Sequence, residues 1–416
     1  MGLERRAKLH RMAALPLALL AAVTLAGHIL SHSPAEAADF PGQTTANRQT
    51  FIKHYTVETD SGPLFPTGGP GCGPGSGAQA YPRQPSAAGR DCDLWFTEFD
   101  GRKVGRMTGT GQVTEFPRTG TLPANSSGGW ITTGPDGNLW FTLGAFPRPS
   151  SSRPPFYGAA IARVTPAGEV TVFPLADESS GPNGIITGPD GNLWFAEFHA
   201  QKIGRSTPTG QITEFPLPSG IPQDAGPHEI TAGPDGNLWF TIPGANKVAR
   251  ITPSGLVTEF QLPPPPDGTA GALKLPPTRR PASITVGPDS NLWFTQRDIN
   301  AIGRITLDGG YTSFSLPYNR WSPGLNDDVG EIGVAGGAIW FTEQVSKCVG
   351  RITPDGVVNE FADAPAPGTN PASTLTLGPD GDLWFTEMVY QSPSNVIARL
   401  NPWPPANARV PCPPPS

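Results

Sequence analysis

A Leu-Trp-Phe or Ile-Trp-Phe tripeptide returns seven times along the chain, centred on Trp95, Trp140, Trp194, Trp239, Trp293, Trp340 and Trp384, at intervals of 44 to 54 residues. A period in that range belongs to arrays and propellers, and it constrains the fold more than any other feature of the sequence. The clearest copy is residues 227–263, PHEITAGPDGNLWFTIPGANKVARITPSGLVTEFQLP. It divides into four short β-rich runs at its turn signals. HEITAG alternates, and GPDG supplies a tight turn in which Pro presets φ and Gly accepts a positive φ. NLWFT is aromatic and β-branched. KVARIT follows, closed by the turn PSG, and LVTEFQL completes the unit.

A single four-stranded sheet of this size cannot bury its apolar faces alone. Seven of them set radially cover one another and leave only short edges. The expected fold is therefore all-β, a seven-bladed β-propeller of four-stranded antiparallel blades. The repeated Trp and Phe read as packing between blades, where truncating one buried Trp costs about 3–5 kcal/mol. The repeated Lys and Arg of the third strand read as solvated or turn-pairing charges. The seventh copy has no VTEF run of its own. Residues 51–58, FIKHYTVE, alternate like that run and are expected to fill its place, so that an N-terminal strand closes the last blade.

The remaining segments fix an expected organisation. Residues 1–37 read as a signal peptide. Arg5, Arg6, Lys8 and Arg11 precede the apolar run Ala13–Gly27, and Ala35-Glu36-Ala37 fits a small-x-small cleavage site. The propeller is assigned to 38–401, and 402–416 is a Pro-rich tail. The apolar run is short for a membrane span. The expectation is a secreted or extracytoplasmic monomer, with no membrane association in its mature form. A net charge of −6 argues against nucleic acid as a partner. Four cysteines suit an oxidising compartment. Pairing Cys72 with Cys92 and Cys348 with Cys412 would staple the two ends, but sequence alone permits three pairings. Residues 61–83, rich in Gly, Pro and Ser, read as a disulfide-tied loop.

Three long connections, 143–160, 261–283 and 315–331, should leave the same face of the ring. That loop-rich mouth is where a small molecule, glycan or protein would bind. Trp321 and Asp328 lie in the third of these connections. The mature chain holds only His54, His199 and His228. His228, at the start of a first strand, is the best single candidate for a catalytic group. Glu229 stands beside it, and Glu197 and His199 sit after the third Trp-Phe pair. Glu98, Glu197, Glu343 and Glu387 recur three residues after their Trp, a recurrence that favours a structural role.

The units GPDGNLWF, KIGRSTP and VTEF resemble those of the streptogramin B lyase (virginiamycin B lyase) family, and the resemblance covers all seven repeats. It implies a magnesium-dependent carbon–oxygen lyase that opens a cyclic peptide ester by elimination. A base removes a proton next to a carbonyl, and the metal steadies the enolate-like charge. In the family a Pro-His-small-Ile element begins the first strand of each of the last two blades, with flanking glutamates as metal ligands. Here the seventh repeat has Pro371-Ala-Ser-Thr-Leu375, so Ser373 stands at the position of the base, and Pro371 and Met388 stand at the carboxylate positions. The sixth repeat places Gly330 at the histidine position. Pro227-His228-Glu229-Ile230 is the one match, and Arg280-Pro-Ala-Ser-Ile284 in the next repeat offers Ala282. Three expectations follow: a binding propeller without the family chemistry, a lyase with its site moved to His228, or a metal-dependent lactonase. Magnesium enters by resemblance only.

Overall fold

The computed structural model describes residues 52–57, 63–68, 93–98, 103–117, 127–144, 158–222, 225–265, 279–316, 329–343, 348–362, 370–378, 381–388 and 395–401. These residues form seven four-stranded antiparallel sheets. Six sheets run in simple chain order. The seventh joins Asn370–Leu377, Leu383–Met388 and Asn395–Leu400 to Ile52–Val57, which pairs from Ile52↔Leu400 to Val57↔Asn395. The first strand of every blade packs against the first strands of both neighbours, so these seven strands form a closed inner ring.

The repeat motif can be read residue by residue in blade four. Asp235 Oδ1 accepts the indole N–H of Trp239 at 3.1 Å and the backbone N–H of Asn237 at 3.2 Å. Its Oδ2 takes the Asn237 side-chain amide at 2.8 Å. Gly233 must lack a Cβ, because one would sit 2.4 Å from Trp239 Cδ1. Gly236 closes the turn at φ +75. Blade six has no aspartate in this turn, and there Trp340 donates to the Ala335 carbonyl at 3.1 Å.

Seven apolar clusters hold the blades together. Each contains the Trp of one blade and the Phe of the next: Trp95 with Phe141, Trp140 with Phe195, and so on round to Trp384 with Phe96. Each Trp also stacks on the outer-strand aromatic of its own blade, at centroid distances of 5.2–5.7 Å. In blade seven that aromatic is Tyr55, so the N-terminal strand supplies the packing group as well as the backbone edge.

A first correction is partial. Of the two readings of the third-strand arginines, turn-pairing holds, as between Arg250 and Asp235 at 3.4 Å, and solvated does not. Each arginine lies over its Trp with the guanidinium carbon 5.4–5.9 Å from the ring centroid. Arg205, Arg250 and Arg304 also donate to the Pro253, Leu307 and Pro354 carbonyls of the next blade at 3.0–3.2 Å. Their planar, weakly hydrated heads suit that sandwich. The third-strand lysines pair with the outer strand instead, as Lys202 does with Glu214 and Lys247 with Glu259, both at 2.6 Å. The second correction concerns 61–83. Pro63–Gly68 is the first strand of blade one, paired with Leu94–Glu98. A strand bonded on one side only tolerates proline, which is why the Pro-rich composition misled.

Cys72, Cys92, Cys412, Trp321, Asp328, residues 1–37 and the tail 402–416 lie outside the described residues. Cys348 is buried in blade six, and no cysteine among the described residues is free.

Candidate functional site

The mouth of the ring is the end at which first strands begin and second strands finish. First strands carry a register shift there, between Gly128 and Ile131, Pro182 and Ile185, Pro281 and Ile284, and Val329 and Ile332. A bulge re-aims the side chains around it and is frequent beside functional sites. The residue just before the apolar Ile of each first strand then reaches its equivalents in other blades. In chain order this column reads Trp130, Gly184, Glu229, Ser283 and Glu331.

Glu229 is the centre of the column. Its Oε2 accepts the Ser283 hydroxyl at 2.7 Å and the Ile284 N–H at 3.0 Å. Its Oε1 accepts the Trp130 indole N–H at 3.2 Å. The Ser283 hydroxyl oxygen in turn accepts the Ile332 N–H at 3.2 Å. Gly184 leaves room for this group, since a Cβ there would lie 3.0 Å from the Glu229 Cα. Glu331 shares a hydrogen bond with Glu229 and meets Arg297 Nη2 at 3.4 Å. Burial, and then the Glu229 charge, raise Glu331 well above the usual carboxylate range. The hydrogen bond between the two acids needs a proton, and Glu331 holds it more tightly than an ordinary carboxylate would. One carboxylate thus ties side chains of blades two, four, five and six together.

His228 stands at the edge of this group, its ring edge-on to Trp130 at 5.5 Å. Burial lowers its pKa to about 4, reinforced by Arg297 and Arg280 and opposed by Glu229. Arg280 is exposed and immediately precedes the blade-five strand Pro281–Val286, at φ +47, a costly conformation for a residue with a side chain.

Glu197 and His199 form a different cluster. Glu197 is fully buried at the end of its strand. Burial, and then Glu214, raise its pKa to about 7. The His199 backbone donates to the Ser180 carbonyl at 2.9 Å, and its ring packs edge-on to Phe198. The polar partners of Glu197 are thus not those of Glu229. Ser373, Glu387 and Met388 lie in blade-seven strands whose backbone alone is described.

The central group offers hydrogen bonds more readily than proton abstraction. The Glu229 oxygens are already engaged by donors. His228 is neutral at pH 7, but its affinity for a proton is far below that of a base matched to neutral pH. Magnesium demands near-octahedral oxygen ligation. Among the described residues no group of three His, Cys, Asp or Glu side chains is placed to hold a metal ion. Arg297 already supplies a positive charge beside the acid pair, and the described donor set does not fit the ion.

Sequence reasoning singled out His228, Glu229 and Arg280 and missed Trp130, Ser283, Glu331 and Arg297. Aligning the seven repeats on the first-strand Ile and reading down the preceding column would have found the first three. Arg297 lies in a connection between strands and has no such signal.

A profile described as the virginiamycin B lyase family matches residues 78–268 and 265–402. A virginiamycin B lyase of Nocardia farcinica is 32% identical over 133 residues, a match spanning 26% of this chain and 45% of that protein. A solved streptogramin B lyase superposes with a TM-score of 0.63 at 27% identity, covering 84% of this chain and 97% of that one. The selenomethionine-substituted virginiamycin B lyase of Staphylococcus aureus gives 0.63 at 28% identity over 84% and 99%. A catalytically inactive histidine-to-alanine variant of the Staphylococcus aureus protein, solved with quinupristin, gives 0.60 at 26% identity over 84% and 99%.

Proposed function

Because the chain belongs to the virginiamycin B lyase family, we propose that it is a ligand-binding propeller holding a peptide-like molecule at its mouth without the elimination chemistry its resemblance implies. The observation that carries this reading is the engagement of Glu229. Its carboxylate is committed to Trp130, Ser283 and the Ile284 N–H, so it is neither a free base nor a metal ligand. A relative unable to turn over has been solved with quinupristin, which supports binding as separable from chemistry in this fold. The leader-like segment 1–37 and the cysteine content support an extracytoplasmic location for a monomer.

The test uses purified full-length protein, magnesium and quinupristin. Calorimetry should show binding, while mass spectrometry should show no linearised product above the uncatalysed rate. A second reading, a carbon–oxygen lyase with its site moved to His228, draws on the buried His228 Nδ1, which has no hydrogen-bond partner. Linearisation that disappears in His228→Ala would establish the second reading and overturn the first.

A further inference from the structure

Among the described residues, the buried polar atoms at the mouth that have no protein partner include His228 Nδ1 and Arg297 Nε. Buried polar groups in native structures are almost always paired, and each exception calls for an explanation. Both atoms belong to one neighbourhood. Arg297 and Arg280 act electrostatically on His228, Arg297 meets Glu331, and Glu331 shares a hydrogen bond with Glu229. The Arg297 N–H donates to the Arg280 carbonyl at 3.2 Å, so the two guanidinium-bearing residues start from the same point of blade five.

The nearby acids do not reach either atom. The Glu229 oxygens are engaged by Trp130, Ser283 and Ile284. Glu331 meets Arg297 at Nη2, 3.4 Å away, and leaves Nε without a partner. An arginine Nε–H can only donate, and a histidine carrying its proton on Nδ1 donates as well. Two donors and a positive charge call for an anionic oxygen, and a carboxylate meets guanidinium with the right planarity.

We propose that His228 Nδ1 and Arg297 Nε form a carboxylate subsite, with Arg280 at its rim, that takes the free C-terminus of a linear peptide-like ligand. Trp130 presents an aromatic wall beside it for the ligand's terminal side chain. The inference rests on the mouth being a ligand site and goes further by naming the group recognised. It also predicts a preference for linear acids over closed cyclic esters, which offer no free carboxylate.

The test titrates full-length protein by calorimetry with N-acetyl-Phe-Gly-Phe, with the C-terminal amide of the same peptide, and with quinupristin. The acid should bind at least about tenfold tighter than the amide, the size of one charge-assisted hydrogen bond. Arg297→Gln should erase that preference with an unchanged thermal midpoint, and Arg297→Lys should reduce it if the Gln variant does not fold. Equal binding of acid and amide overturns the subsite and leaves the mouth as a binding site. Binding of quinupristin but of neither peptide does the same. No binding by any of the three overturns the subsite and the binding reading together.

Discussion

Removing the Glu229 carboxylate strands three donors at once: the Ser283 hydroxyl, the Ile284 N–H and the Trp130 indole. Glu229→Ala should therefore lose about 3 kcal/mol in urea unfolding, since each buried donor left unpaired costs about 1–3 kcal/mol and neighbouring losses do not add fully. Glu331→Gln should be far milder, because an amide N–H can supply the hydrogen that the bond to Glu229 needs. The pH dependence separates the roles. Glu331 binds its proton more tightly folded than unfolded, so its contribution is complete below the ordinary carboxylate range and declines as pH rises through the folded value. Relative to wild type, Glu331→Gln should gain stability as pH rises. His228 runs the other way: its contribution is present above 6.5 and is lost as pH falls towards about 4. His228→Gln should flatten that acid limb in melts recorded between pH 4 and pH 7. Glu229 was legible in the sequence because it sits beside the one Pro-His element. Its dependence on Glu331 was not, since residues 229 and 331 meet only through ring closure.

At the scale of one element, the third strand shows how much a repeat can conceal. Its arginine reads as a solvated or turn-pairing charge. Arg205 does bond the turn of the next blade, but it also lies 5.5 Å from the Trp194 ring centroid and 5.3 Å from that of Phe215. Arg205→Met should cost about 1–2 kcal/mol in thermal or denaturant unfolding, from the lost stacking and one hydrogen bond. Arg205→Lys should recover little of it, because an ammonium lacks the planar fork. The turn before the second strand was more legible. In Gly-Pro-Asp-Gly each residue has a local reason, and the aspartate's capture of the Trp indole adds a tertiary one. The first strand of blade four, HEITAG in the sequence, is a regular strand only over Ile230–Ala232, although the His228 N–H and the Glu229 carbonyl still bond the Thr241 backbone.

For the whole molecule, a fixed period was enough to give seven blades of four strands, because inter-blade packing repeats with the sequence. The shared last blade was legible from the missing VTEF run and its stand-in at 51–58. The site was only partly legible for the opposite reason: it is made where the repeats differ, in one column and in connections with no periodicity. Ring closure can be tested through Tyr55, which stacks on Trp384 at 5.5 Å and also covers Gly111 of the next blade. Tyr55→Ala should cost about 3 kcal/mol and broaden the unfolding transition, as a large-to-small change at a blade junction. The pairing of Ile52 with Leu400 also orders events on the ribosome. The edge strand is made before the six other blades and its mate after them. The ring stays unlatched until the last blade has emerged, and latching then works against the entropy of joining distant segments.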